Sequence, residues 1–446
     1  MNTPIYDFVK KYSEGLPVRM HMPGHKGKSY LGCEACDLTE ITGADSLYHA
    51  DGIIRESEEN ASALFGTKKT LYSTEGSSLC IRAMLYLTSL YAASKGKKAT
   101  ILAGRNAHST FISAAALLDI DVSFIRARGS YLSGCFDEND LVGALKNTED
   151  KPTAVYVTSP DYLGGIADIS SIAKICRAND ILLLVDNAHG AYLKFLSPSV
   201  HPIDLGAHVS CDSAHKTLPV LTGGAYLHLS ENAPEVFFEQ AKNAMALFGS
   251  TSPSYLTLQS LDLANAYLSD GYKDILTEFV VKTDSLKATL REAGYTLYGN
   301  EPLKLTLCTK PYGYTGEEFA LELRKNGIEI EFFDKDFAVM MLTPSLKDEE
   351  LESLTNALIS IRRRDPISEL PPKIPELTRA ISPHEALFSE SETLSAHECV
   401  GRILASANII CPPAVPIAVC GEMIDKSTVE AFEYYGVNSV RVVKEQ

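Results

Sequence analysis

A lysine directly follows a histidine at the end of a short apolar stretch of the sequence. The apolar run covers residues 209–211, and small and polar residues follow it up to residue 218, among them Ser213, His215 and Lys216. Burying an ammonium group without a partner costs free energy, so a lysine after a predicted buried strand needs a reason. A lysine whose pKa is lowered by its surroundings is a nucleophile that forms a Schiff base. A surface lysine in a loop explains the same stretch, and the other residues decide between the two.

Further polar residues follow predicted strands in the same part of the chain. Ser77 and Ser78 open a predicted helix, where backbone N–H groups at the positive helix end suit a phosphate. His108 follows the second predicted strand, and Asp186 and His189 follow the fifth. A carboxylate at the end of an apolar strand is costly unless it meets a positive charge or hydrogen-bond donors. Because ligands of open α/β sheets bind outside the carboxyl ends of the strands, we expect these side chains to share one site.

One ligand uses all of these groups at once. A phosphate suits the helix start, an aromatic ring stacks on an imidazole, and an aldehyde binds the lysine amine. An ionised Asp186 keeps a ring nitrogen protonated, and the resulting cation withdraws electrons from the reacting carbon. The sequence therefore predicts pyridoxal 5′-phosphate as the cofactor.

The elements that position these residues alternate between strands and helices. Seven short apolar stretches separated by helical stretches predict an α/β fold, with a seven-stranded, mainly parallel sheet and helices on both faces. The predicted strands cover residues 70–73, 100–103, 122–125, 154–158, 181–185, 209–211 and 225–229.

The chain is predicted to divide into four parts. They are an N-terminal arm (1–60), a large cofactor-binding domain (61–250), a small α+β domain with connecting helices (251–370) and a C-terminal α+β domain (371–446). Within the small domain, strands are predicted at 304–308, 328–333 and 338–342 around a helix at 316–326. A proline-rich stretch at 365–375 indicates the last boundary.

Composition argues against several classes of protein. The chain carries 41 Lys and Arg against 57 Asp and Glu, a net charge of −16, which disfavours nucleic-acid and anionic membrane partners. We find no apolar run long enough to span a bilayer, and we expect no secretory signal. Ten cysteines without a framework spacing predict reduced thiols and a cytoplasmic location. Cys33 and Cys36 form a lone C-x-x-C without a second pair of ligands, so no metal site is predicted.

Several segments, taken in order, carry a resemblance to a known family. They cover residues 22–27, 37–40, 185–190, 213–218, 251–255, 382–386, and 410–413 leading to 421–422. In these segments the chain resembles the Orn/Lys/Arg decarboxylases, which are pyridoxal-phosphate enzymes of fold type I with the aspartate-aminotransferase-like fold. The resemblance extends from residue 20 to about residue 424 and is to the short form of the family, without a receiver-like wing domain.

The resemblance implies a role for each site residue. Lys216 binds the cofactor covalently and helps to protonate the product, and Asp186 pairs with the pyridine nitrogen. His108 stacks on the ring, and His189 assists proton transfer. Glu422 anchors the cationic end of the substrate. The residues implied to contact or approach a cofactor phosphate are Ser77, Ser78, Ser213 and His215, with Thr251 and Ser252 doing so across a dimer interface.

The resemblance implies decarboxylation of a basic amino acid to carbon dioxide and an amine of polyamine metabolism. Arginine is the first choice of substrate, followed by lysine or ornithine, and the assembly implied is a homodimer or higher homo-oligomer with the active site at the interface. An aminotransferase or lyase on the same scaffold is an alternative, although the arginines at 362–364 that would bind its substrate carboxylate also suit a plain surface run. A non-catalytic cofactor-binding protein is a second alternative. It is motivated by departures from the family pattern such as Ser109 and Cys420.

Overall fold

Short apolar stretches become strands and the stretches between them become helices over most of the chain. The computed structural model describes residues 1–125, 136–148, 150–373, 377–407 and 415–445. Two units are distinguished: the first contains residues 1–97 and 169–276, and the second contains residues 98–168 and 277–446. The division into four parts stays a prediction. The 410–414 segment and part of the proline-rich stretch lie outside the described residues.

The strands confirm the predicted positions to within a few residues in the large sheet. They are β1 (Lys69–Ser73), β2 (Thr100–Gly104), β3 (Asp121–Ile125), β4 (Ala154–Thr158), β5 (Leu182–Asp186), β6 (Val209–Asp212), β7 (Ala225–Leu229), β8 (Thr296–Tyr298), β9 (Lys304–Cys308), β10 (Phe332–Phe333), β11 (Phe337–Met341), β12 (Ser391–Ser395) and β13 (Ser439–Val443).

The predicted seven-stranded α/β sheet is confirmed in the described part of the chain. In the first unit the strand order is β1-β7-β6-β5, with β5 and β6 parallel and β7 antiparallel to both of its neighbours. In the second unit the order is β4-β2-β3, and all pairs are parallel. β5 is largely apolar because strands of parallel sheets are covered by helices on both faces and are buried on both.

Helices form most of the stretches between the strands. They are α1 (Pro4–Glu14), α2 (Ile53–Phe65), α3 (Gly76–Ser94), α4 (Ser109–Leu117), α5 (Glu138–Lys146), α6 (Ile169–Ala178), α7 (Ala214–Thr217), α8 (Glu235–Phe248), α9 (Tyr255–Ser269), α10 (Tyr272–Glu292), α11 (Gly316–Arg324), α12 (Asp348–Ser360), α13 (Pro383–Phe388) and α14 (Lys426–Tyr434).

One predicted strand of the small domain is much shorter than expected. Only Phe332 and Phe333 of the stretch 328–333 form a strand, which pairs with β11 at the edge of the sheet β10-β11-β9-β8. The apolar alternation of this stretch is typical of a strand, but an edge position offers a partner on one side only. Pairing decided the length of this strand, and the sequence pattern alone was wrong about it.

Asp262 on α9 holds the start of α1. Its carboxylate accepts the backbone N–H groups of Ile5 and Tyr6 at 2.9 and 3.0 Å, and Ser57 donates to its second oxygen. Asp262 is fully buried, and burial raises the pKa of its carboxyl to about 6 despite these donors. The first N–H groups of α1, which have no partner within the helix, are thus satisfied by a side chain of the same unit.

Asp262 is expected to make folding stability depend on pH. A carboxyl whose pKa is higher in the folded than in the unfolded chain binds its proton more tightly when folded. Its contribution is therefore full below about pH 4 and is lost as the pH rises to about 6. Relative to Asp262→Asn, the free energy of unfolding should fall by about 2 kcal/mol over this range. Urea denaturation of both proteins at pH 4, 5, 6 and 7 measures the difference, and parallel pH profiles would contradict it.

Candidate active site

Two parallel strands of the first unit end in the residues that were expected to do chemistry. β5 ends at Asp186, and β6 is followed by Ser213 and the short helix α7, which carries Lys216. Asp186 lies opposite Cys211 in the register of the two strands. Because both strands run in the same direction, their carboxyl ends meet at one edge of the sheet. The expected grouping of these residues in the first unit is what the fold produces.

Lys216 and His189 are in direct contact. The Nζ atom of Lys216 lies 3.0 Å from Nε2 of His189, whose side chain is buried while Lys216 is half-buried. His189 belongs to the turn after β5, so the contact joins the loop that follows one strand to the helix that follows the next. An imidazole at this distance can take up a proton from the amine or return one to it.

Asp186 is a buried carboxylate with donors around it. Only 2% of the residue is exposed. The N–H of Ala188 donates to Oδ1 at 3.2 Å, and the thiol of Cys211 lies 3.8 Å from the same oxygen. Burial, followed by the charge of Asp186, raises the pKa of the Cys211 thiol, which therefore stays protonated as a donor. A carboxylate held in this way suits a cationic ring N–H.

The start of α3 offers a place for an anion. Glu75 stands at the N-cap position without a side-chain cap, so the first turn of this 19-residue helix leaves N–H groups to other acceptors. Gly76 has φ +70°, and a side chain added there would meet nothing within 4 Å. The hydroxyl of Ser213 donates a hydrogen bond to that of Ser77 at 2.8 Å. This bond links the residue before α7, the helix that carries Lys216, to the first turn of α3. The ring of His215 is fixed by a 3.0 Å contact between Nδ1 and the Gly224 carbonyl.

These groups fit pyridoxal 5′-phosphate. Lys216 supplies an amine for the aldehyde, Asp186 a buried carboxylate for the pyridine nitrogen, and the start of α3 an open cradle for the phosphate. Ser78 lies in the first turn of the same helix, as expected. Thr251 and Ser252 lie exposed before α9, in the same unit.

His108 and Glu422 belong to the second unit. His108 is the N-cap of α4, where its Nδ1 accepts the Thr110 N–H, and its ring is exposed. Glu422 is buried and forms a bidentate ion pair with Arg105, at 2.6 and 2.8 Å, while its Oε2 also accepts the Val419 N–H. The stacking role of His108 and the substrate role of Glu422 stay predictions.

Sequence reasoning missed Arg105 and Asp212. Arg105 comes three residues before His108 and is the ion-pair partner of Glu422. Asp212 is a second buried carboxylate at the end of β6, and it contacts the buried rings of His201 and His228. The available signal was a charged residue at a strand end in both cases, together with a histidine inside the apolar strand β7. The arginines at 362–364 are exposed, in keeping with a surface run.

No helix within the described ranges combines the length and the apolar character needed to cross a bilayer.

The comparisons with known proteins agree with one another. The model of the Orn/Lys/Arg decarboxylase major domain matches residues 3–299. An arginine decarboxylase of Halalkalibacterium halodurans is 29% identical over 95% of this chain and 91% of its own length. An arginine decarboxylase of Bacillus subtilis is 27% identical over 100% of this chain and 98% of its own length.

Solved structures support the fold. A lysine decarboxylase of Francisella novicida superposes with a TM-score of 0.81 at 16% identity, covering 99% of this chain and 81% of that one. The constitutive lysine decarboxylase of E. coli gives 0.77 at 18% identity, covering 99% and 82%. The expected fold type I architecture is confirmed. With a family model matched over residues 3–299 and relatives aligned over nearly the full length, the chain belongs to the Orn/Lys/Arg decarboxylase family.

Proposed function

We propose that the protein decarboxylates L-arginine with pyridoxal 5′-phosphate, releasing carbon dioxide and the corresponding amine, a precursor for polyamine synthesis. The observation that carries the proposal is the 3.0 Å contact between Lys216 and His189 in the unit that also holds buried Asp186. Family membership supports an amino-acid decarboxylase, and two curated relatives carry the name arginine decarboxylase.

Each residue of the first unit has a defined task in this proposal. Lys216 holds the aldehyde, and Asp186 faces the pyridine nitrogen. Ser77 and Ser78 at the start of α3, with Ser213 and His215, hold the phosphate, where the helix end favours negative charge. When bound, the cofactor supplies the electron sink that stabilises negative charge on the α carbon of the substrate.

In this proposal the contact between Lys216 and His189 carries the proton transfer. His189 Nε2 exchanges a proton with Lys216 Nζ, and the amine then returns a proton to the carbon that has lost its carboxylate. The burial of His189 keeps water away from this exchange. We propose that the exposed ring of His108 stacks on the cofactor, which would restrict its orientation.

Glu422 remains our proposed anchor for the cationic end of the substrate. Its ion pair with Arg105 has the bidentate geometry that a planar guanidinium forms with a carboxylate. A substrate guanidinium can reproduce this geometry, whereas the ammonium of lysine or ornithine cannot, and this favours arginine. Because Arg105 engages both carboxylate oxygens, the substrate has to displace it from at least one of them.

Glu422→Gln should raise the KM for arginine by about tenfold or more, since a neutral amide holds a guanidinium less strongly than a carboxylate does. The kcat should change less, because this contact is made in both the ground state and the transition state. Steady-state kinetics measure the effect. Glu390→Gln, which changes an exposed glutamate of the same unit, is the control. An unchanged KM for every basic amino acid would remove Glu422 from the substrate site.

A product screen tests the reaction itself. Arginine, lysine, ornithine and neutral amino acids are incubated with the loaded enzyme, and carbon dioxide and keto acid are measured side by side. We expect carbon dioxide from arginine without keto acid. Keto acid without carbon dioxide would favour the aminotransferase alternative. A bound cofactor whose absorbance no amino acid changes would favour a non-catalytic binding protein.

We also propose that the protein is a homodimer, or a higher homo-oligomer, with its active sites at the interface. Large apolar side chains of the segment 16–31 are exposed, among them Leu16, Met20 and Leu31 at 86, 86 and 89%. Several large apolar side chains exposed in one segment are typical of a protein interface. In this arrangement Thr251 and Ser252 reach the cofactor phosphate of the partner. Light scattering of the loaded protein tests the assembly.

A cytoplasmic location is part of the same proposal. The eight cysteines in the described part of the chain are all free, and their thiols persist in a reducing compartment. Fractionation of the native cells tests it.

A further inference from the structure

A fully buried carboxylate lies one residue before Ser213. Asp212 ends β6, and four side chains surround its two oxygens. His201 and His228 approach Oδ2 with their Nε2 atoms at 3.0 and 3.3 Å. Asn187 donates to Oδ1 at 2.8 Å, and Ser210 donates to the same atom at 3.3 Å. All five residues are 0% exposed, so bulk water does not reach this network.

The hydrogen bonds of His201 show which of its nitrogen atoms carries a proton. The N–H of Ile203 donates to Nδ1 of His201 at 3.3 Å, so His201 carries its proton on Nε2 and donates it to Asp212. His228 contacts the Thr70 hydroxyl through Nδ1 at 2.9 Å and turns Nε2 toward the carboxylate. A metal ion would need both Nε2 atoms unprotonated, and the donor at Nδ1 of His201 opposes that.

Asp212 therefore keeps its negative charge although it is buried. Burial opposes its ionisation, but the facing His201 and His228 outweigh this and hold the pKa of the carboxyl well below its usual range. Burial lowers the pKa of His228, which leaves that ring neutral at neutral pH. Asn187 and Ser210 are neutral donors, and they stabilise the negative charge of Asp212 without cancelling it.

The carboxylate of Asp212 lies close to Asp186 and affects the same neighbouring residues. Asn187, which Asp212 holds through its side chain, directly follows Asp186 in the turn after β5. Burial raises the pKa of the thiols of Cys80 and Cys211, and the charges of both carboxylates raise each of them further. Two buried carboxyl groups thus lie at the ends of the neighbouring strands β5 and β6.

We propose that Asp212 is a positioning residue for the reaction: through Asn187 it fixes the turn that directly follows Asp186, and its charge reinforces that of Asp186 toward the pyridine nitrogen. This inference rests on the proposed function, because it requires that Asp186 faces the cofactor. It assigns a role to a residue that does not touch the reacting atoms.

Asp212→Asn separates charge from position. Among the described residues, Oδ1 of Asn187 has no hydrogen-bond partner, so the Asn187 amide can turn over and accept from the amide introduced at position 212. The variant keeps the link between the two strands and loses the charge. In the full-length protein loaded with pyridoxal 5′-phosphate, the midpoint of the pH titration of cofactor absorbance should move by about half a unit or more to lower pH. A nearby anion stabilises the protonated, cationic form of the bound cofactor, and its loss destabilises that form.

Kinetics give a second readout. Asp212→Asn should lower kcat for arginine about tenfold and change KM less than about threefold, because the charge acts on the transition state. Asn187→Ala cuts the link and leaves the charge in place, so kcat should fall while the absorbance midpoint stays. Asp262→Asn, another buried aspartate of the first unit, is the matched control, and it should change stability without moving the midpoint.

The outcomes are distinguishable. If Asp212→Asn lowers the melting temperature but leaves midpoint and kcat at wild-type values, Asp212 is merely structural and the proposal is wrong. If Asp212→Asn does not fold, an Asn187→Ala protein with wild-type kcat overturns the positioning role by itself. One equivalent of metal in the purified protein, lost with His201→Gln, would replace the proposal with a metal site. A wild-type protein that neither binds pyridoxal 5′-phosphate nor releases carbon dioxide would overturn the proposed function as well.

Discussion

Replacing Lys216 with alanine is expected to reduce turnover by on the order of 10⁴-fold or more. In the proposed mechanism, the variant loses the amine that holds the cofactor and returns the proton, and with it the group that lies 3.0 Å from His189. The contacts proposed for the phosphate at the start of α3 and for the ring at Asp186 do not involve this amine, so the variant should still bind pyridoxal 5′-phosphate non-covalently. Carbon dioxide release from arginine measures the loss, and equilibrium dialysis measures the remaining binding.

Covalent attachment can be tested separately from activity. Borohydride reduction followed by peptide mass spectrometry should place the cofactor on Lys216 in the wild type and on no peptide of the variant. Lys194→Ala is the matched control, because Lys194 lies in the same unit and its amine pairs with Asp204 at 2.7 Å. It should keep its activity and its labelling. Substantial carbon dioxide release by Lys216→Ala would overturn the assignment of this lysine.

Asp186→Ala is expected to lower kcat by about 10²- to 10³-fold, with a much smaller change in KM. In the proposed site, the buried carboxylate of Asp186 faces the pyridine nitrogen and would stabilise the cationic form of the ring, whose electron-withdrawing effect is needed most in the transition state. Substrate binding should depend little on the contact between Asp186 and the pyridine nitrogen. Steady-state kinetics on arginine separate the two constants, and the absorbance of the bound cofactor reports the protonation of the ring.

A second substitution isolates the charge of Asp186. Asp186→Asn keeps an oxygen that accepts the Ala188 N–H and removes the negative charge, so it should lose nearly as much kcat as Asp186→Ala. Asp204→Asn, at an exposed residue of the same unit, is the control and should show wild-type kinetics. A loss confined to KM would contradict the role proposed for Asp186.

Much of the fold follows from local patterns. Short apolar runs placed all seven strands of the large sheet to within a few residues, because strands that are buried on both faces need mostly apolar side chains. The same patterns placed α3 and α6, where apolar residues recur at helical spacing. The stretch 328–333 shows the limit, since a strand needs a neighbour and its length depends on pairing with β11.

The candidate site residues at the ends of strands could also be predicted from the sequence. Asp186, His189, Lys216 and the serines at the start of α3 all lie in one unit and near the carboxyl ends of its strands. Chain order was sufficient here because a parallel sheet collects the ends of its strands along one edge. Residue types then limited the ligand, since few cofactors need an amine, a buried carboxylate and a helix start together.

Side-chain partners were decided by the tertiary structure alone. Arg105 and Glu422 are 317 positions apart in the chain, and nothing in the neighbourhood of either residue indicates the other. Asp212 takes its four partners from β6, β7, the turn after β5 and the segment before β6, so its charge state is set only when these elements pack. Local sequence determines which residues stand at the end of a strand, because periodicity is a short-range property. Which charges face one another is long-range, and it is decided when burial removes water and leaves each polar group to find a partner.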